Sequence, residues 1–135
     1  MTASSTAEYP DPFAAFVELF NAKRYRDCIA PLEVLWFAQR DDFHKALIRM
    51  CVGCNQIGLG LDSGPRFLLT TAQELLAPYG DEHNGVNIGS IITFLHTALS
   101  VLDEPPPRTV PPFKIVFRRP TTDDRPLEMT LEQNS

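Results

Sequence analysis

Seven of the chain's twelve prolines lie at or beyond position 105. Proline fixes φ and carries no amide hydrogen, so prolines this dense can neither continue a helix nor sit inside a sheet. The 135-residue chain therefore divides into a first part where regular elements can form and a tail, residues 105–135, that has to be extended or irregular. The tail shows no helical period and carries five basic against four acidic residues. Within it, Pro112-Phe113-Lys114-Ile115-Val116-Phe117 alternates faces between stretches that favour polyproline II. Such a segment is expected either to lie along the rest of the molecule or to add to a partner.

Ahead of the tail, apolar residues recur at helical spacing. Asp11-Pro12 is a helix-start signal, since the Asp side chain accepts from free amides of the first turn and Pro is tolerated at the first helical position. Phe13, Phe16, Val17 and Phe20 then define one buried face over residues 12–21. Tyr25, Cys28, Ile29, Leu32, Leu35 and Trp36 form a second stripe, with Pro31 either kinking that helix or marking where its regular part begins. Asp41-Asp42 starts a third helix with Phe43, Leu47, Met50, Cys51, Cys54 and Ile57 inward and Lys45 and Arg49 outward. After a glycine-rich turn, residues 65–76 place Phe67, Leu68, Leu69, Ala72, Leu75 and Leu76 on a fourth helix that stops before Pro78. Residues 87–102 make a fifth, with Ile88, Ile91, Ile92, Leu95, Leu99 and Leu102 inward. The expected fold is all-α: a small antiparallel bundle of about five helices over residues 11–104, after a disordered N-terminus (1–10) and before an extended Pro-rich tail (105–135).

Charge and cysteine usage restrict the function classes. A formal net charge of −5 gives no general attraction to phosphates or anionic lipid, so no nucleic acid is expected as a partner. The longest apolar stretch is too short and too interrupted to span a bilayer, so no membrane insertion is expected either. The first residues lack the basic and apolar segments of a secretory signal. Three cysteines, an odd number without scaffold spacing, suit a reducing compartment, the cytoplasm or an organelle interior.

Phe20-Asn21-Ala22-Lys23-Arg24-Tyr25 followed by Leu32-Glu33-Val34-Leu35-Trp36, with Ala46-Leu47-Ile48-Arg49-Met50-Cys51 on the next helix, resembles the signature of the domain of unknown function 309 family. The likeness covers about residues 12–76. It implies a helical domain with a His/Glu cluster on facing helices, which could hold a metal or act as acid and base. This chain has Ile29-Ala30 where that family has His-Glu, and Asn55, followed by Gln56, where it has a His on the next helix. Ile and Ala can neither ligate nor transfer protons, so the resemblance implies a site that has lost its chemistry. Glu33, Trp36, Asn55 and Gln56 remain as a candidate vestigial polar site.

Other patterns point to structure more than to chemistry. Cys51-Val52-Gly53-Cys54 is a C-x-x-C in the middle of an apolar helix, where inert buried thiols are expected. A structural zinc would need two further ligands, and neither Cys28 nor a histidine has the spacing that would place one. Gly58, Gly60 and Gly64 are turn residues, not a phosphate loop, and His44, His83 and His96 read as separate residues.

No catalytic residue, no metal site and no cofactor is expected. The sequence argues for a non-catalytic interaction module, an accessory factor or small subunit that binds a protein partner through its helical surface and its tail, self-association being left open. Phe113, Ile115, Val116, Phe117, Arg118 and Arg119 are the candidate tail contacts. On this reading, removal of residues from Pro105 onward leaves the helices folded and weakens association. The competing reading is a metal- or small-ligand-binding protein, or a hydrolase-like enzyme, with a rebuilt polar site between the second and third helices.

Overall fold

The computed structural model describes residues 11–118 and is mostly helical, with five helices and one small two-stranded sheet. Residues 1–10, expected to be disordered, and residues 119–135, which include Arg119, lie outside the described residues.

Helix α1 (Pro12–Asn21) starts where the Asp11 carboxylate accepts from the Ala14 amide, with Pro12 at its first position, and it buries Phe13, Phe16, Val17 and Phe20 as expected. After a 3-10 turn at Arg26–Cys28 comes α2 (Ile29–Gln39). Pro31 stands in its first turn, where its missing N–H is one the helix leaves unbonded anyway, so the helix begins there instead of kinking. Helix α3 (Asp42–Gly58) is capped by Asp41, which accepts from the His44 amide. Its inward residues Phe43, Leu47, Met50, Cys51, Cys54 and Ile57 are all buried. Helix α4 (Ser63–Leu76) lies close against α3: a Cβ added at Gly53 would stand 2.8 Å from Leu69 Cδ2. A glycine inside a helix is unfavourable by about 1 kcal/mol relative to alanine, and here it permits that approach.

The chain then makes a 3-10 turn at Ala77–Tyr79 and a short hairpin, β1 (Glu82–His83) paired antiparallel with β2 (Val86–Asn87). The Tyr79 hydroxyl accepts from the Phe43 amide, and the His83 ring lies 4.6 Å from both the Phe43 and Tyr79 rings, so aromatic contacts fasten the hairpin to the start of α3. Helix α5 (Ile88–Val101) is capped by Asn87 and buries Ile88, Ile91, Phe94, Leu95 and Ala98.

One core runs through all five helices and continues into the tail. Helices α1 and α5 meet through the Phe20 and Phe94 rings, 5.7 Å apart, and residues 113–117 lie over that seam. Phe113 stacks on Phe94 at 4.8 Å, Ile115 is 4% exposed, and the Phe117 ring meets Phe13 edge-on at 4.9 Å. Residues 114 and 116 face solvent, which is the alternation expected of an extended segment. Residues 113–117 cover Phe13, Phe20 and Phe94, so the tail completes the core and its removal would uncover these rings.

Candidate functional site

The residues of the candidate polar site do not come together. Glu33 is exposed on α2, and no hydrogen bond joins it to Trp36, Asn55 or Gln56 among the described residues. Trp36 is half-buried instead of packed in the core, because α2 turns it to the flank, where the Arg40 guanidinium sits 4.4 Å from its ring centre. Asn55 and Gln56 are neighbours on α3 that diverge by the helical rotation of 100° per residue. Asn55 lines a cavity beside Tyr25, whereas the Gln56 side chain lies against Gly64 of α4, its Oε1 buried without a hydrogen-bond partner.

The three thiols do converge. Cys28 comes from the 3-10 turn before α2 and sits against Cys51 and Cys54 of α3, all buried. Burial pushes the Cys51 thiol well up and the Cys54 thiol up to about 12, each reinforced by Cys28. Tyr25 covers this group, and its phenol is likewise pushed up to about 12, first by burial and then by the thiols beneath. Neutral, unreactive sulfur at Cys51 and Cys54 is the consequence. Among the described residues, no three His, Cys, Asp or Glu side chains form a group that could hold a metal ion. His44 is buried and bonded through Nδ1 to the Asp41 cap at 2.7 Å, His83 is in the hairpin aromatic cluster, and His96 is exposed.

The tail candidates separate into two sets. Phe113, Ile115 and Phe117 are turned into the molecule, leaving Val116, 74% exposed, and Arg118 outward. The inward set is fixed by a pairing that sequence reasoning missed. The Asn21 side-chain amide donates to the Ile115 carbonyl at 2.9 Å and its Oδ1 accepts from the Ile115 amide at 2.7 Å, much as a neighbouring strand would pair. Beyond it, Val86 and Phe117 form an antiparallel bridge, and the Arg118 amide donates to the Gly85 carbonyl at 2.8 Å. Gly85 has φ +82, and a Cβ there would stand 2.3 Å from the Arg118 carbonyl oxygen.

The outer surface of α2 was also missed. Of its eleven residues only Glu33 and Gln39 are polar. Helices apolar on every side are ordinarily covered on every side, yet among the described residues α2 packs mainly onto α1, α3 and the turn before it. Ala30, Val34, Phe37 and Ala38 share one stripe at i, i+4, i+7 and i+8, and all four are exposed, Phe37 by 58% and Val34 by 46%. Arg40 closes the stripe at its C-terminal end, over Phe37 as well as Trp36. On α4, Phe67 is 61% exposed beneath Arg49, because Leu69, Ala72 and Leu76 supply that helix's buried face. The available signal was the composition of α2, too uniformly apolar for a helix that covers one neighbouring face.

No helix among the described residues is long and apolar enough to cross a membrane. Comparison with models of protein families, with curated proteins and with solved structures finds no match to the chain.

Proposed function

We propose that the protein is a non-catalytic helical interaction module, an antiparallel five-helix bundle completed by a Pro-rich tail, which serves as an accessory factor or small subunit of a larger complex. The observation that carries this reading is the exposed stripe Ala30-Val34-Phe37-Ala38 on a helix that is apolar on both faces. Full burial of such a side chain is worth about 1.5–3 kcal/mol; with Val34 and Phe37 46% and 58% exposed, a partner's apolar face laid along the stripe recovers roughly half of that for each. Small residues at both ends of the stripe leave room for a partner helix to approach closely. Arg40, held over the rings at the end of the stripe and without a carboxylate partner among the described residues, favours an acidic rim on that partner. Val116 and Arg118 are the tail residues left outward, where a partner could meet them separately from the stripe. On this reading the chain is a divergent relative of the domain of unknown function 309 family in which Ile29-Ala30 replaces the His-Glu pair.

The test is a Val34→Ser/Phe37→Ser double variant expressed at native abundance, with the native mass of the protein measured beside wild type. The variant should fold with stability within about 0.5 kcal/mol of wild type per substitution, as exposed sites do, and should lose a discrete complex that wild type forms. Loss of a homodimer by the same variant identifies a second copy as the partner. A wild type that is monomeric at native abundance, or a variant that keeps the complex, overturns the reading.

A further inference from the structure

Where α1 and α3 both end, the chain returning from α5 closes an open cavity of about 530 Å³. This is within the size range of small-molecule sites. Its polar lining comes from Lys23, Tyr25, Asn55 and Thr109, and its apolar lining includes Leu59 and Val110. The Lys23 ammonium and the Asn55 side-chain amide have no hydrogen-bond or ion-pair partner among the described residues, and no carboxylate belongs to the lining. Tyr25, pushed up to about 12 by burial, keeps its proton and is a hydrogen-bond donor across the working pH range. Arg108 also lines the wall, but Asp62 holds it at 3.2 Å and its Nε donates to the Glu104 carbonyl, so it frames the cavity without adding a free charge.

The backbone at Lys23 supplies an independent observation. Its φ is +64, in the left-handed region, at the position that closes α1: the Arg24 amide donates to the Leu19 carbonyl at 2.9 Å and the Lys23 amide to Phe20. Glycine is the usual residue at this place in a helix end because it adopts that conformation without strain. A lysine there is strained for no gain in packing, since its side chain is exposed. Strain of this kind concentrates where a side chain is wanted for binding.

We propose that this cavity binds a small organic carboxylate, its anionic group on Lys23 with Tyr25 and Asn55 donating to the oxygens, and its aliphatic or aromatic body against Leu59 and Val110. With Arg108 held by Asp62, Lys23 is the one free cation among the described residues that line the cavity, which matches a monoanion better than a phosphate dianion. The interaction stripe on α2 is a separate surface, so either proposal stands or falls without the other.

The experiment is an amide-resolved NMR titration of the full chain with hexanoate, with hexanamide as the uncharged control. Hexanoate should saturate and shift Lys23, Tyr25, Asn55 and Thr109, and hexanamide should bind at least about tenfold more weakly, the value of one good charge-assisted contact. Lys23→Gly relieves the backbone strain and so should melt no lower than wild type while losing about tenfold in hexanoate affinity. Lys23→Met keeps the strain and removes the charge; it should lose affinity to the same extent, which assigns the loss to the ammonium. Absence of saturable shifts, equal binding of acid and amide, or unchanged affinity in both lysine variants would overturn the proposal.

Discussion

Asn21→Ala tests the claim that the tail is part of the core. The substitution removes the donor to the Ile115 carbonyl and the acceptor for the Ile115 amide, bonds of 2.9 and 2.7 Å across 94 residues of sequence. Each bond contributes about 1 kcal/mol net, and each buried group left without a partner adds roughly another 1 kcal/mol when water cannot fully replace it. Ile115 is buried but its neighbours in the tail face solvent, so water reaches part of the vacated site and the lower half of that sum applies. The expected loss is therefore about 2–3 kcal/mol, which for a domain of this size lowers the melting temperature by roughly 10–20 °C. Urea unfolding followed by circular dichroism measures it, with amide exchange at Ile115 reporting the tail directly. Ile115→Ala should cost a similar amount, about 2–3 kcal/mol from the low end for large-to-small core changes. The double variant should fall short of the sum, because a tail already loosened at one partner has less to lose at the other. A chain ending at Glu104 should be less stable than either single variant. An Asn21→Ala midpoint equivalent to wild type within about 0.5 kcal/mol, together with an unprotected Ile115 amide in the wild type, would refute the reasoning.

Two further outcomes follow from the same geometry. Gly85→Ala should lose about 1–3 kcal/mol through a non-glycine residue at positive φ, and the close approach of the Arg118 carbonyl should release the Arg118 amide to rapid exchange while leaving α3 and α4 protected. The protein should also be sensitive to alkali. Cys54 is raised from an ordinary 9.0 to about 12 and Tyr25 from 10.0 to about 12, so the unfolded chain loses these protons first as pH rises. The stability they contribute is complete below the ordinary thiol value and is lost as pH rises toward the folded values. Each fully coupled group changes it by about 1.4 kcal/mol per pH unit in that window. Urea midpoints above pH 9 should fall steeply in wild type and less in Cys54→Ala, and equal slopes would contradict the assignment.

Which features were legible in the sequence depended on whether their physics is local. The start of α1 was readable because Asp11, Pro12 and four apolar residues at helical spacing act within ten residues, and the inward face of α3 for the same reason. Pro31 left a kink or a start open, and only the observed first turn of α2 decides between them. Phe67 and Phe94 were not legible: one of several apolar residues on α4, Phe67 lies outside, while Phe94, absent from the inward set of α5, closes the seam with Phe20 and Phe113. Periodicity tells which residues share a face, but not whether anything covers that face. The same limit explains α2, where two apolar faces overlap in one sequence and the stripe through Trp36 drew attention from the stripe through Phe37.

The tail is the sharper case, since Phe113, Ile115 and Phe117 at period two fit a partner's surface as readily as the chain's own. Three features outside the tail decide the matter: an Asn at the end of α1 whose amide matches one peptide unit, a glycine in the hairpin that admits the Arg118 carbonyl, and a Phe94 ring, edge-on to Phe20, whose face Phe113 stacks on. None is a tail property, so no reading of residues 105–135 alone could have found them. The apolar alternation of the tail is spent on closing the molecule, and on the proposed reading the surface left for a partner is the exposed stripe of α2, whose other face packs on α1 and α3.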